Sequence, residues 1–322
     1  MLELTGVSRR FSKKLDVVEK LAAVITSRLG ADVPEHTVHA VDRVSFSIAR
    51  GEVVGLVGES GCGKSTVGRL ACGLLEPSEG QVLYKGQRPA GTQRPQMIFQ
   101  DPFASLNPRM RVEEIVGEAP VVHGFVPKSE LKDYVSRMLE QVGLDPSYRR
   151  RFPHQFSGGQ RARIGIARAL AVKPDFLVCD EAVAALDVSI QAQVLNLFMD
   201  LRESLGLTYL FISHDLGVVR HLAQRVVVMY LGRVVESAPA AELFAAPNHP
   251  YTQALLAEVP KLERKRREFA PIKGEIPSPL APPPGCHFHP RCPHAMERCA
   301  REVPLLREIA PGRISACHLN DG

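Results

Sequence analysis

The sequence predicts an α/β fold in which a parallel sheet carries helices on both faces. Short apolar runs typical of buried strands alternate along the chain with segments whose apolar residues recur at helical spacing. One such strand, at residues 53–57, leads through a glycine-rich loop directly into a helix, and another ends in Asp180 and Glu181. Neighbouring parallel strands need a crossover helix between them, so this alternation favours a doubly wound sheet.

Length and composition indicate a folded protein with an ample core. The chain has 322 residues, of which 45% are hydrophobic and 23% charged, so we expect one large domain and a smaller one. It has no run of eighteen apolar residues and no apolar signal segment, which predicts a protein of the cytosol or of the cytosolic face of a membrane. The net charge of +5 is too small and too dispersed to indicate a nucleic-acid partner.

The loop after the strand at 53–57 has the pattern G-x-x-x-x-G-K-S. Its glycines allow the backbone to curl so that successive N–H groups point at an anion, and the following helix adds a favourable dipole. Lys64 is expected to reach the β- and γ-phosphates of a nucleotide, and the Ser65 hydroxyl to hold Mg²⁺. The sequence therefore predicts a nucleoside triphosphate site formed by Gly58, Ser60, Gly61, Cys62, Gly63, Lys64, Ser65 and Thr66.

Two strands near the N-terminus, at residues 2–8 and 44–48, flank a long insert. Apolar residues of the insert mark one face of a helix that ends near Gly30: Leu15, Val18, Leu21, Ala22, Ile25 and Leu29. Basic residues accompany this helix, so a membrane-surface position is one interpretation, but packing against the domain is the favoured one. Phe11 precedes the insert and is a candidate to stack on adenine, with a core phenylalanine as the alternative.

A second helix start with accessible backbone N–H groups is predicted at Ser157. The pattern from about 110 to 170 is helical, and Ser157 within it is a good N-cap. Gly158 and Gly159 follow directly and leave the N–H groups of the helix start accessible. The chain therefore offers two anion-binding helix termini.

The remaining strands place polar residues at one edge of the predicted sheet. These strands are expected at 81–84, 96–99, 176–179 and 209–212. Gln100 follows the second of them, Asp180 and Glu181 follow the third, and His214 comes shortly after the fourth. At the carboxyl edge of a parallel sheet, two carboxylates suit a Mg²⁺ ligand and a base that activates water.

Together these segments resemble the ATP-binding subunit of an ABC transporter. Six motifs follow in the order of that family: Walker A at 58–66, the Q-loop at Gln100, the signature at 157–160, the end of Walker B at Asp180 and Glu181, the D-loop at 185–187 and the switch histidine at His214. The resemblance covers residues 1 to about 240. It implies a P-loop NTPase (RecA-like) cassette with an antiparallel β subdomain and a helical subdomain at about 101–170.

The resemblance also implies a role for each matching residue in a site shared by two cassettes. Asp180, Ser65 and Gln100 are expected to support Mg²⁺. Glu181 is expected to be the general base on the attacking water, and His214 to position the water and the γ-phosphate. Gln100 would also link the state of the nucleotide to a membrane partner. The residues expected to contact the nucleotide of the opposite cassette are Ser157, Gly158, Gly159, Gln160 and Asp187.

Three positions depart from the family pattern. Ala182 stands where proline usually follows the base, and Ala184 where serine usually precedes the D-loop residues Ala-Leu-Asp. Ala162 stands where a glutamine is common after the signature. None of the three removes a catalytic group, so we predict a site that is competent for hydrolysis.

Residues 241–322 differ in composition from the rest and are rich in proline and cysteine. The segment 248–256 within them, together with 100–108, resembles the ATPases of oligopeptide and dipeptide importers. This resemblance implies pairing with a second homologous ATPase beneath two membrane permease subunits, at the cytoplasmic face of the membrane. An extracytoplasmic binding protein would deliver the cargo, and no nucleic acid is expected to bind.

Four of the seven cysteines lie in this C-terminal segment: Cys286, Cys292, Cys299 and Cys317. Without a secretory signal, they are expected to be reduced thiols or metal ligands rather than disulfides. Four thiolates can close one metal site. Related importers suggest a structural 4Fe–4S cluster, with Zn²⁺ or plain buried thiols as the alternatives.

A soluble ABC ATPase without a membrane partner, acting in repair, translation or iron–sulfur assembly, is the alternative function. Translation-type members carry two cassettes in one chain, whereas only one set of motifs is present here. Repair-type members insert long coiled coils or zinc modules, and this sequence has no sustained heptads. The C-terminal segment therefore favours the importer.

Overall fold

The computed structural model describes residues 1–12, 37–91, 94–101, 104–258 and 274–321. The helix predicted in the insert between Leu15 and Leu29 lies outside these ranges. Among the described residues, no helix combines the length and the apolar character needed to cross a bilayer.

The strands of the described ranges are β1 Leu2–Ser12, β2 Thr37–Ile48, β3 Val53–Val57, β4 Glu79–Tyr84, β5 Gln96–Ile98, β6 Phe176–Asp180, β7 Thr208–Ile212, β8 Arg225–Tyr230, β9 Arg233–Pro239, β10 Arg307–Ala310 and β11 Arg313–Ser315. The α-helices are α1 Lys64–Ala71, α2 Val112–Val122, α3 Leu131–Gln141, α4 Gly158–Leu170, α5 Val188–Leu205, α6 Leu216–Leu222, α7 Ala240–Ala245 and α8 Pro250–Ala257. Short 3-10 turns lie at Pro146–Arg150, Pro153–Gln155, His289–Arg291, Glu297–Ala300 and His318–Asn320.

The main sheet confirms the predicted α/β fold. Its strand order is β10-β11-β9-β8-β3-β7-β6-β5, and the pairs from β8 to β5 are all parallel. Every residue of β3, β6 and β7 is buried, as expected of parallel strands covered on both faces. Because β3 lies between β7 and β8, the glycine-rich loop that follows it opens at the middle of the sheet.

Each face of the main sheet packs into its own core. Val53 and Val57 of β3 join the core that also holds α2 to α6, whereas Val54 and Leu56 join the core that holds α1 and the small sheet. The alternation follows from the two-residue period of a strand, which sends successive side chains to opposite faces.

A separate three-stranded antiparallel sheet, in the order β2-β1-β4, confirms the predicted antiparallel part of the fold. Its strands are longer than expected, since β1 continues to Ser12 and β2 already begins at Thr37. Phe11 pairs with Val38 in this extension. Cross-strand pairing maintains it, although most of the added residues are polar and only Val41 among them is buried.

The helices α2, α3 and α4 pack around a shared apolar core on one side of the main sheet. The buried Tyr134 of α3 ties this group to the residue that follows α4, donating a hydrogen bond from its hydroxyl to Ala171 O at 2.7 Å. These helices lie within the range predicted for a helical subdomain.

The C-terminal segment continues the main sheet. Strand β11 pairs antiparallel with β9, placing Ile314 opposite Ser237 and Ser315 opposite Glu236. Neither β10 nor β11 was expected from the sequence. The domain boundary near residue 240 stays a prediction, and the sheet runs across it.

Candidate nucleotide-binding site

The glycine-rich loop between β3 and α1 has a backbone that its glycines make possible. Gly58, Gly61 and Gly63 all have positive φ, at 151°, 77° and 104°. A Cβ at Gly58 would lie 2.2 Å from Met229 O, and one at Gly63 would lie 2.2 Å from Ala40 O. Side chains are therefore excluded at both positions by backbone atoms of neighbouring strands.

The start of α1 has no side-chain cap, because its N-cap residue is Gly63. The first N–H groups of a helix have no partner within the helix, so at this end they remain free to bind an anion. The sequence prediction placed the phosphate group of a nucleotide at this point.

Lys64 and Ser65 begin α1 and point into the site. The Lys64 side chain is 4% exposed, and its ammonium donates to Gly58 O at 2.7 Å and to Glu59 O at 2.9 Å. The Ser65 hydroxyl donates to Asp180 Oδ1 at 2.9 Å. Two of the predicted Mg²⁺ ligands are thus hydrogen-bonded to each other across 115 residues of sequence.

Asp180 ends β6 and is buried. Burial raises the pKa of its carboxyl group, and the Ser65 hydroxyl opposes that rise by stabilising the charged form. A divalent cation beside Asp180 would favour the same charged form, so the donor set of Ser65 and Asp180 suits Mg²⁺.

Glu181 lies between the other two predicted catalytic residues. Gln100 Nε2 donates to Glu181 Oε2 at 2.5 Å, and His214 Nδ1 lies 3.3 Å from Glu181 Oε1. The backbone of Glu181 is in the left-handed region at φ 49°, and its N–H donates to Ile212 O at the end of β7. The structure thus brings Gln100, Glu181 and His214 together from the ends of three strands, as the edge argument predicted.

The helix α4 begins in a capping box, which confirms Ser157 as its N-cap. The Ser157 hydroxyl accepts from the Gln160 N–H at 3.3 Å, and the Gln160 side chain accepts from the Ser157 N–H at 3.0 Å. A Cβ at Gly159 would lie 2.4 Å from Ile190 Cγ2, so this glycine permits close contact between α4 and α5.

The D-loop is part of an exposed segment. Ala184, Ala185 and Asp187 are exposed, and Val188 at the start of α5 is 83% exposed. Asp187 is the N-cap residue of α5, and its side chain makes no cap hydrogen bond.

Phe11 is at the exposed end of β1 and is not a core residue, which contradicts the alternative interpretation of this position. Its ring is 37% exposed, and the guanidinium of Arg9 lies 4.8 Å from the ring centre. An exposed aromatic face of this kind can stack on a planar ring.

The four C-terminal cysteines line one small cavity: Cys286, Cys292, Cys299 and Cys317. Burial raises the pKa of the Cys286 thiol to about 11. Four histidines also line the cavity, but His249 Nδ1 accepts from the Tyr251 N–H, His289 hydrogen-bonds to Cys286 O, and His318 hydrogen-bonds to Asp321 and Glu302 O.

Across the part of the chain that the structure describes, no three Cys, His, Asp or Glu side chains are arranged to hold one metal ion. The four thiols are the right donors for iron or zinc, but their observed arrangement does not fit such a group. The predicted cluster is therefore not supported by this geometry.

Two residues that contact the phosphate loop were not predicted from the sequence. The Tyr251 hydroxyl and the Arg291 guanidinium both contact Glu59, which lies 192 and 232 residues earlier in the chain. No local pattern signals contacts over such separations. The only indication was that Tyr251 lies in the segment resembling importer ATPases.

The fold and this constellation of residues define an ATP-binding cassette ATPase. Residues 41–184 match the ABC transporter family, and residues 235–299 match the oligopeptide/dipeptide transporter C-terminal region.

Sequence relatives show to which group of ABC transporter ATPases the chain belongs. The chain is 52% identical to the oligopeptide transport ATP-binding protein AppF of Bacillus subtilis, over 88% of this chain and 90% of that protein. It is 53% identical to a provisionally named peptide import ATP-binding protein of Brucella ovis, over 87% of this chain and 92% of the relative. The chain belongs to the family of ATP-binding subunits of peptide ABC transporters.

Solved structures agree on the fold. The dimeric cassette MJ0796, bound to ADP and phosphate after hydrolysis, superposes with a TM-score of 0.62 at 24% identity, covering 74% of this chain and 99% of that one. CbiO1 of Clostridium perfringens, part of the transporter complex CbiONQ, gives 0.60 at 25% identity, covering 76% and 90%.

Proposed function

We propose that this chain is the ATP-hydrolysing, energy-coupling subunit of an ABC importer for dipeptides or oligopeptides. The observation that carries the proposal is the Glu181 carboxylate, held by Gln100 and His214 at the sheet edge that also bears the phosphate loop. The match of residues 235–299 and the names of the relatives support a peptide cargo.

Binding of ATP rests on the loop from Gly58 to Thr66. Its N–H groups and the Lys64 ammonium would hold the phosphates, and Phe11 would stack on the adenine ring. Ser65, Asp180 and Gln100 would hold Mg²⁺, which supplies positive charge against the triphosphate.

Hydrolysis rests on Glu181 as the general base that accepts the proton of the attacking water. Gln100 contacts one oxygen of this carboxylate and His214 contacts the other. The orientation of the Glu181 side chain is therefore set by residues that follow the ends of β5 and β7. His214 is about half exposed, and in this proposal it would contact the water and the γ-phosphate.

We propose that a second, homologous ATPase completes the site. Ser157, Gly158, Gly159, Gln160 and Asp187 would contact the nucleotide of that partner. The exposed segment around Ala184 and Val188 supports this proposal, because an apolar side chain as exposed as Val188 suits an interface. Two membrane permeases would contact this pair at the cytoplasmic face, with Gln100 as the link, and a binding protein would act only indirectly.

Replacement of Glu181 tests the hydrolytic role. In the assembled transporter, Glu181→Gln should lower ATPase activity by about 10²- to 10⁴-fold, the range of general-base catalysis, while ATP still binds. Glu203→Gln is the matched control, because Glu203 is exposed on α5 away from these residues. Unchanged activity in Glu181→Gln would exclude Glu181 as the base.

Isolation from native membranes tests the partners. A tagged chain extracted in detergent should bring down two polytopic membrane proteins and a second ATPase, identified by mass spectrometry. Recovery without membrane proteins, and with nucleic acid or assembly proteins instead, would favour the soluble ABC ATPase.

We also propose Cys286, Cys292, Cys299 and Cys317 as ligands of a structural 4Fe–4S cluster, with Zn²⁺ as the alternative. Their convergence on one cavity supports this, although ligation requires the thiols to move from the observed arrangement. Protein prepared without oxygen should contain iron and sulfide, or zinc. Absence of both metals would leave the cysteines as packed thiols.

A further inference from the structure

The C-terminal segment contacts the phosphate loop at one residue, Glu59, and holds it by two groups. The Glu59 N–H donates to the Tyr251 hydroxyl at 2.8 Å. Its carboxylate receives two parallel hydrogen bonds from Arg291, at 2.7 and 2.9 Å. The remaining backbone group, Glu59 O, accepts from the Lys64 ammonium.

The Glu59–Arg291 pair is well formed and shielded from water. The Arg291 side chain is 4% exposed, and its guanidinium also donates to the Tyr230 hydroxyl at 3.3 Å. The hydrogen bonds to Glu59 raise the pKa of Arg291, so the guanidinium stays charged at any physiological pH. A bidentate arginine–carboxylate pair fixes both distance and direction, which a single ion contact does not.

Tyr251 is equally fixed in place. Its ring is fully buried between Tyr230 and Phe288, with ring centres 4.6 and 5.3 Å away. Its own N–H donates to His249 Nδ1 at 3.0 Å. The backbone N–H groups of Asn248 and His249 in turn donate to Glu236, a fully buried carboxylate of β9.

We propose that Arg291 and Tyr251 are positioning residues that hold the phosphate loop, through Glu59, in the shape that binds ATP. The C-terminal segment would thus set the affinity of the cassette for nucleotide. This inference rests on the ATP site proposed above. Neither residue is proposed to touch the nucleotide.

The loop needs such an anchor because glycines flank the contact. Gly58 precedes Glu59 and Gly61 follows two residues later, and glycine backbones have many accessible conformations. Ordering a loose loop costs conformational entropy when the ligand binds, and a loop ordered beforehand avoids that cost. A shift of the Glu59 peptide would also displace one of the two carbonyl groups to which Lys64 donates.

The test is the dissociation constant for Mg·ATP, measured on the full-length chain by titration. Arg291→Met should weaken binding by about three- to tenfold, a loss typical of a preorganising contact, and Glu59→Gln should do the same. Arg291→Lys should restore only part of the affinity, since lysine keeps the charge but lacks the planar fork. Tyr251→Phe, which removes a single oxygen, should weaken binding by a smaller factor.

Arg298→Met is the matched control. It removes the ion pairs of another arginine of the same segment, with Glu302 at 2.7 Å and Asp321 at 2.9 Å, instead of the pair with Glu59. Its affinity for ATP should equal that of the parent. In the assembled transporter, the KM for ATP should rise in Arg291→Met while kcat stays within about twofold, because Glu181 and His214 are untouched.

A double-mutant cycle separates positioning from general loosening of the fold. If the two groups act as one unit, Arg291→Met should add nothing in a Glu59→Gln background. If Arg291→Met lowers the melting temperature too far for study, Glu59→Gln and Tyr251→Phe decide the question alone.

Lys64→Ala distinguishes the failure of this inference from the failure of the ATP site. If Lys64→Ala loses ATP while folded Glu59→Gln, Arg291→Met and Tyr251→Phe all bind like the parent, the positioning role is wrong. If Lys64→Ala also binds like the parent, the proposed site itself is wrong.

Discussion

Helices α1 and α4 begin in different ways, although the sequence predicted an anion site at the start of each. The N-cap of α1 is Gly63 in a left-handed conformation, and no side chain caps the helix. The N-cap of α4 is Ser157, whose hydroxyl and backbone form a reciprocal pair with Gln160.

The difference shows that the attraction of a helix N-terminus for an anion can serve two kinds of site. At α1 no side chain caps the N–H groups, so they are left for a nucleotide bound by the same chain. Lys64 and Ser65 supply the specific contacts to that nucleotide. At α4 one N–H group is already satisfied by Ser157, and Gly159 is buried against Ile190 of α5. This second start is therefore stable by itself, and we propose that its use for binding depends on a partner cassette.

Alanine at Gly63 should have the largest effect. The new Cβ would lie 2.2 Å from Ala40 O, and φ of 104° is unfavourable for any other residue, so the loop must distort. Strain of this kind costs about 1–3 kcal/mol per residue, and we expect ATP affinity to fall at least about tenfold. Titration of the full chain with Mg·ATP measures this affinity. An affinity equal to that of the parent would show that the loop tolerates the side chain.

Alanine at Gly159 should affect the assembled transporter rather than the single chain. The added methyl would meet Ile190 Cγ2 at 2.4 Å and push α4 from α5, which we expect to destabilise the fold by about 1–3 kcal/mol. ATP binding to the isolated chain should be unchanged, and ATPase activity of the complex should fall.

Gly158→Ala is the matched control for that change, because its Cβ would meet only Leu186 Cδ2 at an ordinary 3.6 Å. It should leave the melting temperature nearly unchanged. A loss of ATP affinity in the isolated chain for either variant would contradict separate roles for the two helix starts.

Alanine at Ser157 should have the smallest effect. Loss of the N-cap hydroxyl is expected to lower the free energy of unfolding by about 1 kcal/mol. Denaturant unfolding of the full chain measures this, with Ser136→Ala as control, since Ser136 is half-buried on α3 and its hydroxyl hydrogen-bonds back to Lys132 O within the helix. An effect on ATP binding to the isolated chain would mean that α4 influences the site within one cassette.

The parts of the sheet that lie nearest the nucleotide site were predictable from sequence. Strands β3, β6 and β7 are continuous apolar runs because they are buried on both faces, and each leads directly into polar site residues. Strands β8 and β9 were not predicted, nor were β10 and β11. The last two are short and partly exposed, and pairing rather than hydropathy defines them.

For the four C-terminal cysteines, the sequence predicted that they lie close together but not how they are arranged. Four thiols within one short segment, together with the resemblance to importer ATPases, predicted a shared metal site, and the fold brings all four to one cavity. Spacing cannot give the distances between thiols, which depend on how the turns at His289–Arg291 and Glu297–Ala300 pack.

The amino-acid sequence alone predicts the phosphate loop, the order of the motifs and the strand ends that carry Asp180, Glu181 and His214. These features are local, since each depends on residues within one strand–loop–helix unit. The residues that hold the phosphate loop from outside are visible only in the folded chain. Arg291 and Tyr251 reach Glu59 because the pairing of β11 with β9 and the packing of Tyr251 and Phe288 on Tyr230 fold the C-terminal segment back onto the main sheet. Contacts between residues so distant in sequence depend on packing, which no local pattern encodes.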